Sequence, residues 1–144
     1  MKTYGRMGMT VFALLGALIA AYLWLFHLGL SELLCPIKGC EVVQKSVYSS
    51  ILGVPVATLG FFAFLGLFVV GVWSTLLERA QGERIAFAVS SMGMLAYVWF
   101  TYLELFVIRA ICFWCVVSSL MMLGVWISSG LALRDSRRAA SPTR

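Results

Sequence analysis

The chain has 144 residues, 62% of them hydrophobic and 12% charged, with a formal net charge of +5. Soluble domains carry about 25% charged residues, and a chain this short has too much surface to hide so much apolar area from water. The composition therefore excludes an ordinary soluble domain, and the placement of the charge argues against nucleic-acid binding: Lys2 and Arg6 precede the first apolar run, and Arg134, Arg137, Arg138 and Arg144 follow the last. Basic residues flanking apolar runs are topology signals.

A helix that crosses lipid needs about 20 mainly apolar residues. The first predicted span covers residues 8–30, with no charge and a single histidine. It is longer than the core of a signal peptide and ends in no A-x-A-like site, so it reads as a retained helix. The second covers residues 55–77. Pro55 suits its first turn, where a missing N–H costs nothing. Glu78, Arg79, Gln81, Gly82, Glu83 and Arg84 then form a polar loop. Residues 85–133 are apolar except for Glu104 and Arg109. As one helix they would extend about 70 Å, against a hydrocarbon core of about 30 Å. They divide into spans over residues 85–106 and 110–131, with the two charges marking the turn. The expected fold is an all-α membrane protein. Residues 1–133 form a four-transmembrane-helix bundle, and residues 134–144 a basic, disordered cytoplasmic tail.

Counting Lys and Arg gives the orientation. Lys2, Arg6, Arg79, Arg84 and the tail arginines fall on one side, and Lys38, Lys45 and Arg109 on the other. The positive-inside rule places both termini in the cytoplasm. Residues 31–54 and the turn near Arg109 then lie outside. Residues 41–52 are predicted as a short interfacial amphipathic helix. Val42, Val43, Val47, Ile51 and Leu52 face lipid or bundle in that reading, and Glu41, Gln44 and Lys45 face water. A plain ordered loop is the alternative.

That topology brings all four cysteines to the outer face. Cys35 and Cys40 follow the first span, and Cys112 and Cys115 begin the fourth. The outer compartment is oxidising wherever a periplasm or secretory lumen exists. Cys112-Phe-Trp-Cys115 is a C-x-x-C at a helix start. Positions i and i+3 share a face, and the helix N-terminus lowers a thiol's pKa. Arg109 adds to this if the helix has already begun. Phe113 and Trp114 supply aromatic surface for a flat ring. Cys35-Pro-Ile-Lys-Gly-Cys40 is instead a flexible, exposed pair, open to another protein's thiolate. One exposed pair and one at the lipid boundary suggest a relay, with electrons entering at the loop and leaving into something dissolved in the membrane. Other readings of the four residues stay open: a structural zinc bound as Cys₄ in a non-catalytic membrane protein, inert structural disulfides, or plain buried cysteines. A small transporter is disfavoured, because the spans lack polar residues away from their outer ends.

The stretch from Cys40 through Ser46, Tyr48, Ser49 and Gly53 to Pro55 resembles the loop and second-helix signature of the vitamin K epoxide reductase family. Tyr102-Leu-Glu104, followed by Cys112-Phe-Trp-Cys115 and Ser118, resembles the third and fourth helices of its bacterial branch. The likeness covers residues 34–123. It implies a four-helix bundle around a quinone, with the C-x-x-C as active redox centre and the loop pair as shuttle from a thioredoxin-like partner. Carried over by position, Cys35 accepts electrons first, Cys40 exchanges with Cys112, and Cys115 faces the quinone. Ser46 matches a family serine or threonine near the shuttle pair. The implied activity is a membrane thiol:quinone oxidoreductase that reoxidises a periplasmic thioredoxin-fold thiol oxidase. The acceptor is ubiquinone, menaquinone or a vitamin K-like quinone from the membrane pool. No fused thioredoxin domain follows the fourth span, so the partner is expected to be a separate protein. Reduction of vitamin K epoxide in a secretory pathway is the second reading.

Glu104, an ionisable residue at membrane depth, is a functional candidate, as a proton relay or as a turn residue paired with Arg109. His27 is an interfacial polar residue or a proton relay. Trp24, Trp73, Trp99 and Tyr102 read as interfacial belt residues, with Tyr102 or Trp99 also candidates for the quinone pocket. No metal ligands are assigned. Met92, Met94, Met121 and Met122 are expected in bundle packing, and Gly60, Gly66, Gly71, Gly93 and Gly124 at close helix contacts.

Overall fold

The computed structural model describes residues 2–30, 32, 34–36, 39–78 and 80–141. Lys38, Arg79 and Arg144, three of the charges used for the orientation, lie outside the described residues. The elements run α1 (Lys2–His27), α2 (Gly39–Gln44), a 3-10 turn (Val47–Ser49), β1 (Ser50–Ile51), β2 (Val54–Pro55), α3 (Val56–Leu77), α4 (Ala80–Tyr102), a π-helical turn (Leu103–Ile108) and α5 (Phe113–Ala140). Among the described residues, four helices are long and apolar enough to cross a membrane: Tyr4–His27, Val56–Leu77, Gln81–Ile108 and Phe113–Ala140. This is the all-α, four-span architecture read from hydropathy, and it fits an integral membrane protein.

Around the bundle the neighbours run α1, α3, α4, α5 and back to α1. Lipid tails are as apolar as leucine, so helices in a bilayer associate through close packing rather than through burial from water. The packing here sets large side chains against small ones. The Phe64 ring occupies the place of a side chain at Gly16, Phe12 does so at Gly124, and Met122 at Gly93. Met9, Ala13, Ala17 and Ala20 form the buried ridge of α1 beside Phe64, Leu67 and Val125. Gly71 is likewise a close contact, against Thr10 and Met9, but Gly66 faces open space and Gly60 touches only Ala20. Met94, Met121 and Met122 pack into the core as expected. Met92 is 74% exposed, on the outer face of α4 rather than in the bundle packing.

Two boundaries differ from hydropathy. The polar loop after α3 shrinks to a turn, because Glu78 takes the left-handed conformation that stops α3 and α4 begins at Ala80. Glu83, expected in that loop, lies in the first turn of α4 and is fully buried. Its carboxylate accepts from Arg6 Nε at 2.7 Å and from the Ser136 hydroxyl. The second difference is at the C-terminal end of the last helix: α5 continues to Ala140, so residues 134–140 are helix rather than disordered tail. Ser136 ties that last stretch to α4.

At the other end, the segment expected as one amphipathic helix over residues 41–52 breaks into three pieces. Helix α2 ends at Gln44, the 3-10 turn follows, and β1 pairs with β2 through Ser50–Pro55 and Ile51–Val54. Leu52 and Gly53 both have positive φ, which a two-residue hairpin turn requires so that its twist matches the strands. Leu52 is a leucine where glycine or asparagine is usual, and its side chain is fully exposed.

The Arg6–Glu83 pair is a buried ion pair, and removing one partner leaves an uncompensated charge, at a cost of about 3–5 kcal/mol. Arg6→Met is expected to destabilise the detergent-solubilised protein by that amount. Adding Glu83→Met should restore most of it, and denaturant unfolding of the two variants measures the difference. Equal stability of Arg6→Met and wild type would mean that the pair holds nothing together.

Candidate redox site

The four cysteines meet at the end of the bundle away from Arg6 and Glu83. Helix α4 does not end cleanly there. It widens into the π-helical turn over Leu103–Ile108, and Arg109 closes it in the left-handed conformation with its N–H on the Glu104 carbonyl. Such turns recur at functional sites because they re-aim a side chain. Here Glu104 is buried beneath the next segment, and its Oε2 accepts from the Cys112 N–H at 3.3 Å.

Cys112 is the N-cap of α5 rather than its first helical residue, and its sulfur accepts the Cys115 N–H at 3.4 Å. Both sulfurs therefore sit at the positive end of the helix. Cys112 precedes the fourth span and is completely buried. The hydrogen bond from the Cys115 side chain holds its thiol below the ordinary range. Burial pushes the other way, and the Cys115 N–H adds to the lowering. Arg109 does not contribute as anticipated. The helix has not begun at that point, Arg109 is exposed, and among the described residues it makes no ion pair with Glu104.

The loop pair is joined as a Cys35–Cys40 disulfide, while Cys112 and Cys115 are free thiols. Cys40 and Cys112 are both fully buried and pack in one cluster with Val43, and Cys35, Ile108, Trp114 and Cys115 surround it. This approach depends on Gly39, where a Cβ would overlap the Ile111 carbonyl oxygen. Two aromatic side chains hold the preceding strand of chain. The Tyr22 hydroxyl donates to the Glu32 carbonyl at 3.0 Å and accepts from the Leu34 N–H at 2.9 Å. Trp114 Nε1 donates to the Leu34 carbonyl at 2.9 Å and meets Tyr22 edge-on.

One turn beyond Cys40, Gln44 is buried, and its Nε2 lies 3.8 Å from Cys115 Sγ. Positions i and i+4 share a helix face, so one face of α2 covers both sulfurs of the C-x-x-C: Cys40 lies against Cys112 and Gln44 against Cys115. Gln44, expected to face water, lies on the buried side of α2 instead. With α2 starting at Gly39, Gln44 falls on the buried face, and the periodicity counted from Cys40 was the signal for it.

Beneath α2 lies a cavity of about 320 Å³. Its wall includes Gln44, Ser46, Tyr97, Glu104, Cys115 and Ser118, set among apolar side chains of α1, α3, α4 and α5. Most of its surface is apolar, the character of a small-molecule site. Ser46 and Glu104, singled out from sequence, are thus on the wall with Cys115. Tyr102, Phe113 and Trp114 are not among the lining residues. Tyr102 stacks with Trp99 and Phe106 on the outer face of the bundle. Phe113 and Trp114 open α5 between the two cysteines, and Trp114 packs beside the cysteine cluster and holds the loop rather than lining the cavity. His27 ends α1 and is also off the wall. Sequence reading missed Tyr97, whose hydroxyl is hydrogen-bonded to Ser118. A polar group in the middle of an apolar span was its only mark.

In a Cys35→Ala/Cys115→Ala protein, mild oxidation is expected to join Cys40 to Cys112 readily. Adding Gly39→Val should slow that cross-link by about 10²-fold, the usual effect of a displacement near 1 Å on a reacting pair. Alkylation and gel mobility read the yield, and an unchanged rate would show that Gly39 does not set the approach.

The family model described as the vitamin K epoxide reductase family matches residues 7–129. That stretch takes in the second and third spans, most of the first and fourth, both cysteine pairs and the cavity wall. The chain belongs to the vitamin K epoxide reductase family, and is a membrane oxidoreductase.

Proposed function

We propose that this protein is a thiol:quinone oxidoreductase that reoxidises a separate thioredoxin-fold thiol oxidase. Electrons pass from the partner to Cys35–Cys40, then to Cys112–Cys115, and from Cys115 to a ubiquinone, menaquinone or vitamin K-like quinone. In this reading the termini are cytoplasmic and the cysteines face the periplasm. The observation that carries it is the order of the sulfurs. The loop disulfide abuts buried Cys112, and Cys115 alone of the four cysteines lines the apolar cavity. The residues present suit a quinone, because a flat, apolar ring with two carbonyl oxygens matches an apolar cavity with a few polar groups on its wall.

Each exchange is attack of a thiolate on a disulfide sulfur. A partner thiolate attacks Cys35, its second thiol closes the partner's own disulfide, and the loop is left as two thiols. Cys40 then attacks Cys112 of the inner disulfide and releases Cys115. Gln44 has a fixed N–H beside that sulfur, a donor aimed where negative charge develops. Cys35 next attacks Cys40, restores the loop disulfide and releases Cys112, whose lowered pKa suits it to leave. The result is a loop disulfide above two inner thiols, the same bonding that the described structure has. A bound quinone takes up two electrons and two protons as hydroquinone. As those electrons leave through Cys115, the Cys112–Cys115 disulfide closes again. Glu104, buried beside Cys112, is the ionisable side chain on the cavity wall best placed to carry a proton.

The test follows quinone absorbance with a reduced thioredoxin-fold donor. Wild type is expected to turn over and Cys115→Ala to be inactive. Cys35→Ala should fail with the protein donor but respond to a small dithiol. A wild type that leaves the quinone oxidised with every donor would overturn the reading.

Gln44→Leu keeps the size of the side chain and removes the donor. It is expected to slow quinone reduction about tenfold or more, with reduction of the loop disulfide unaffected. Equal loss in both half-reactions would mean that Gln44 merely holds α2 in place.

A further inference from the structure

A second concavity lies at the opposite end of the bundle, between α4 and α5, far from every cysteine. Its volume is about 370 Å³, and its wall holds Phe87, Trp126, Leu131, Leu133, Arg134 and Arg137. Phe87 and Trp126 stack with centroids 5.8 Å apart. The indole N–H is already used, donating to Ser91 Oγ at 3.0 Å, so this part of the wall offers only apolar surface. Gly130 opens the groove: a side chain there would stand against the Phe87 ring. Arg134 and Arg137 lie together at one end, both exposed, and neither forms an ion pair among the described residues. Ser136, between them in sequence, turns inward to Glu83, so the helix face presenting the two arginines is distinct from the one that packs.

The polarity of this groove runs along its axis. From Trp126 to Arg137 the helix advances about 17 Å, close to the thickness of one leaflet at about 15 Å. Apolar wall occupies the deep part, and two exposed arginines mark the level of the headgroups. A packed helix from another chain would not need that gradient, whereas a lipid has it. Basic pockets between membrane helices are suited to acidic headgroups.

We propose that this groove binds one anionic phospholipid of the leaflet at the end away from the cysteines. Its phosphate sits between Arg134 and Arg137, and an acyl chain lies along Leu131, Trp126 and Phe87. The site is independent of the redox reading, since none of its residues reaches the cavity that Cys115 lines.

The full chain in neutral detergent is titrated with phosphatidylglycerol or phosphatidylcholine, and bound lipid is counted by native mass spectrometry. Wild type is expected to hold one phosphatidylglycerol in preference to phosphatidylcholine. Each arginine contributes about fivefold, so Arg134→Gln/Arg137→Gln should weaken binding about 30-fold and abolish the preference. Gly130→Leu, which fills the groove and leaves both charges, should weaken both lipids. Glycerol phosphate alone should not compete. The proposal is overturned if the two lipids bind equally, or if the double variant keeps the preference. Competition by glycerol phosphate at lipid concentrations would make this a site for free phosphate, and a change of oligomeric state in Gly130→Leu without lipid would make the groove a contact between copies. Near-ultraviolet circular dichroism checks that the variants fold. Because the two arginines are exposed and Gly130 borders the groove, at least one variant set is expected to stay native.

Discussion

The close approach of Gly39 to the Ile111 carbonyl is the contact on which the redox site depends. It lets the backbone of the cysteine loop lie directly on the segment leading into α5, with no side chain between them. Cys40 thereby becomes as buried as Cys112, although it follows exposed residues such as Leu34. A disulfide exchange needs the attacking sulfur in line with the bond it breaks, so a loop free to wander would spend most of its time out of reach. Tyr22 and Trp114 reduce that freedom from the other side by fixing the backbone around Leu34.

Once α2 is seated this way, its geometry supplies the rest of the lid. A helical turn separates Cys40 from Gln44, so the helix that carries Cys40 also carries the amide that faces Cys115. The cysteine cluster and the cavity wall are thus joined through a six-residue helix. Beneath it, the π-helical turn sets Glu104 under Cys112. In a regular α-helix the register would differ, and the carboxylate would point elsewhere on the bundle.

The two ends of the bundle handle polarity differently. At the end away from the cysteines, Arg6, Glu83 and Ser136 satisfy one another across three helices, as buried charges in a low-dielectric setting must. At the cysteine end the polar groups line a space: Gln44, Ser46, Glu104 and the Tyr97–Ser118 pair border the cavity. The first arrangement holds the spans together, and the second sets polar groups on the wall of an apolar cavity.

The sequence by itself determined that the chain lives in lipid, that it crosses four times, and that both cysteine pairs come to one end. These follow from the thickness of the bilayer and from counting apolar residues, and they need no knowledge of contacts. It also marked Glu104 and the four cysteines, because polar and reactive residues stand out against an apolar background, and Ser46 through its resemblance to the family pattern. The tertiary structure decided what each side chain faces. Glu83 looked like a loop residue and is a buried ion-pair partner, since its place depends on where Arg6 arrives from a different helix. Tyr102, Phe113 and Trp114 looked like pocket aromatics and lie off the cavity wall, since the direction of a side chain is fixed by helix register and not by nearness to a motif. Gln44 looked solvated and is buried for the same reason. Composition sets the solvent and the number of spans, whereas a binding surface arises only where separate elements meet.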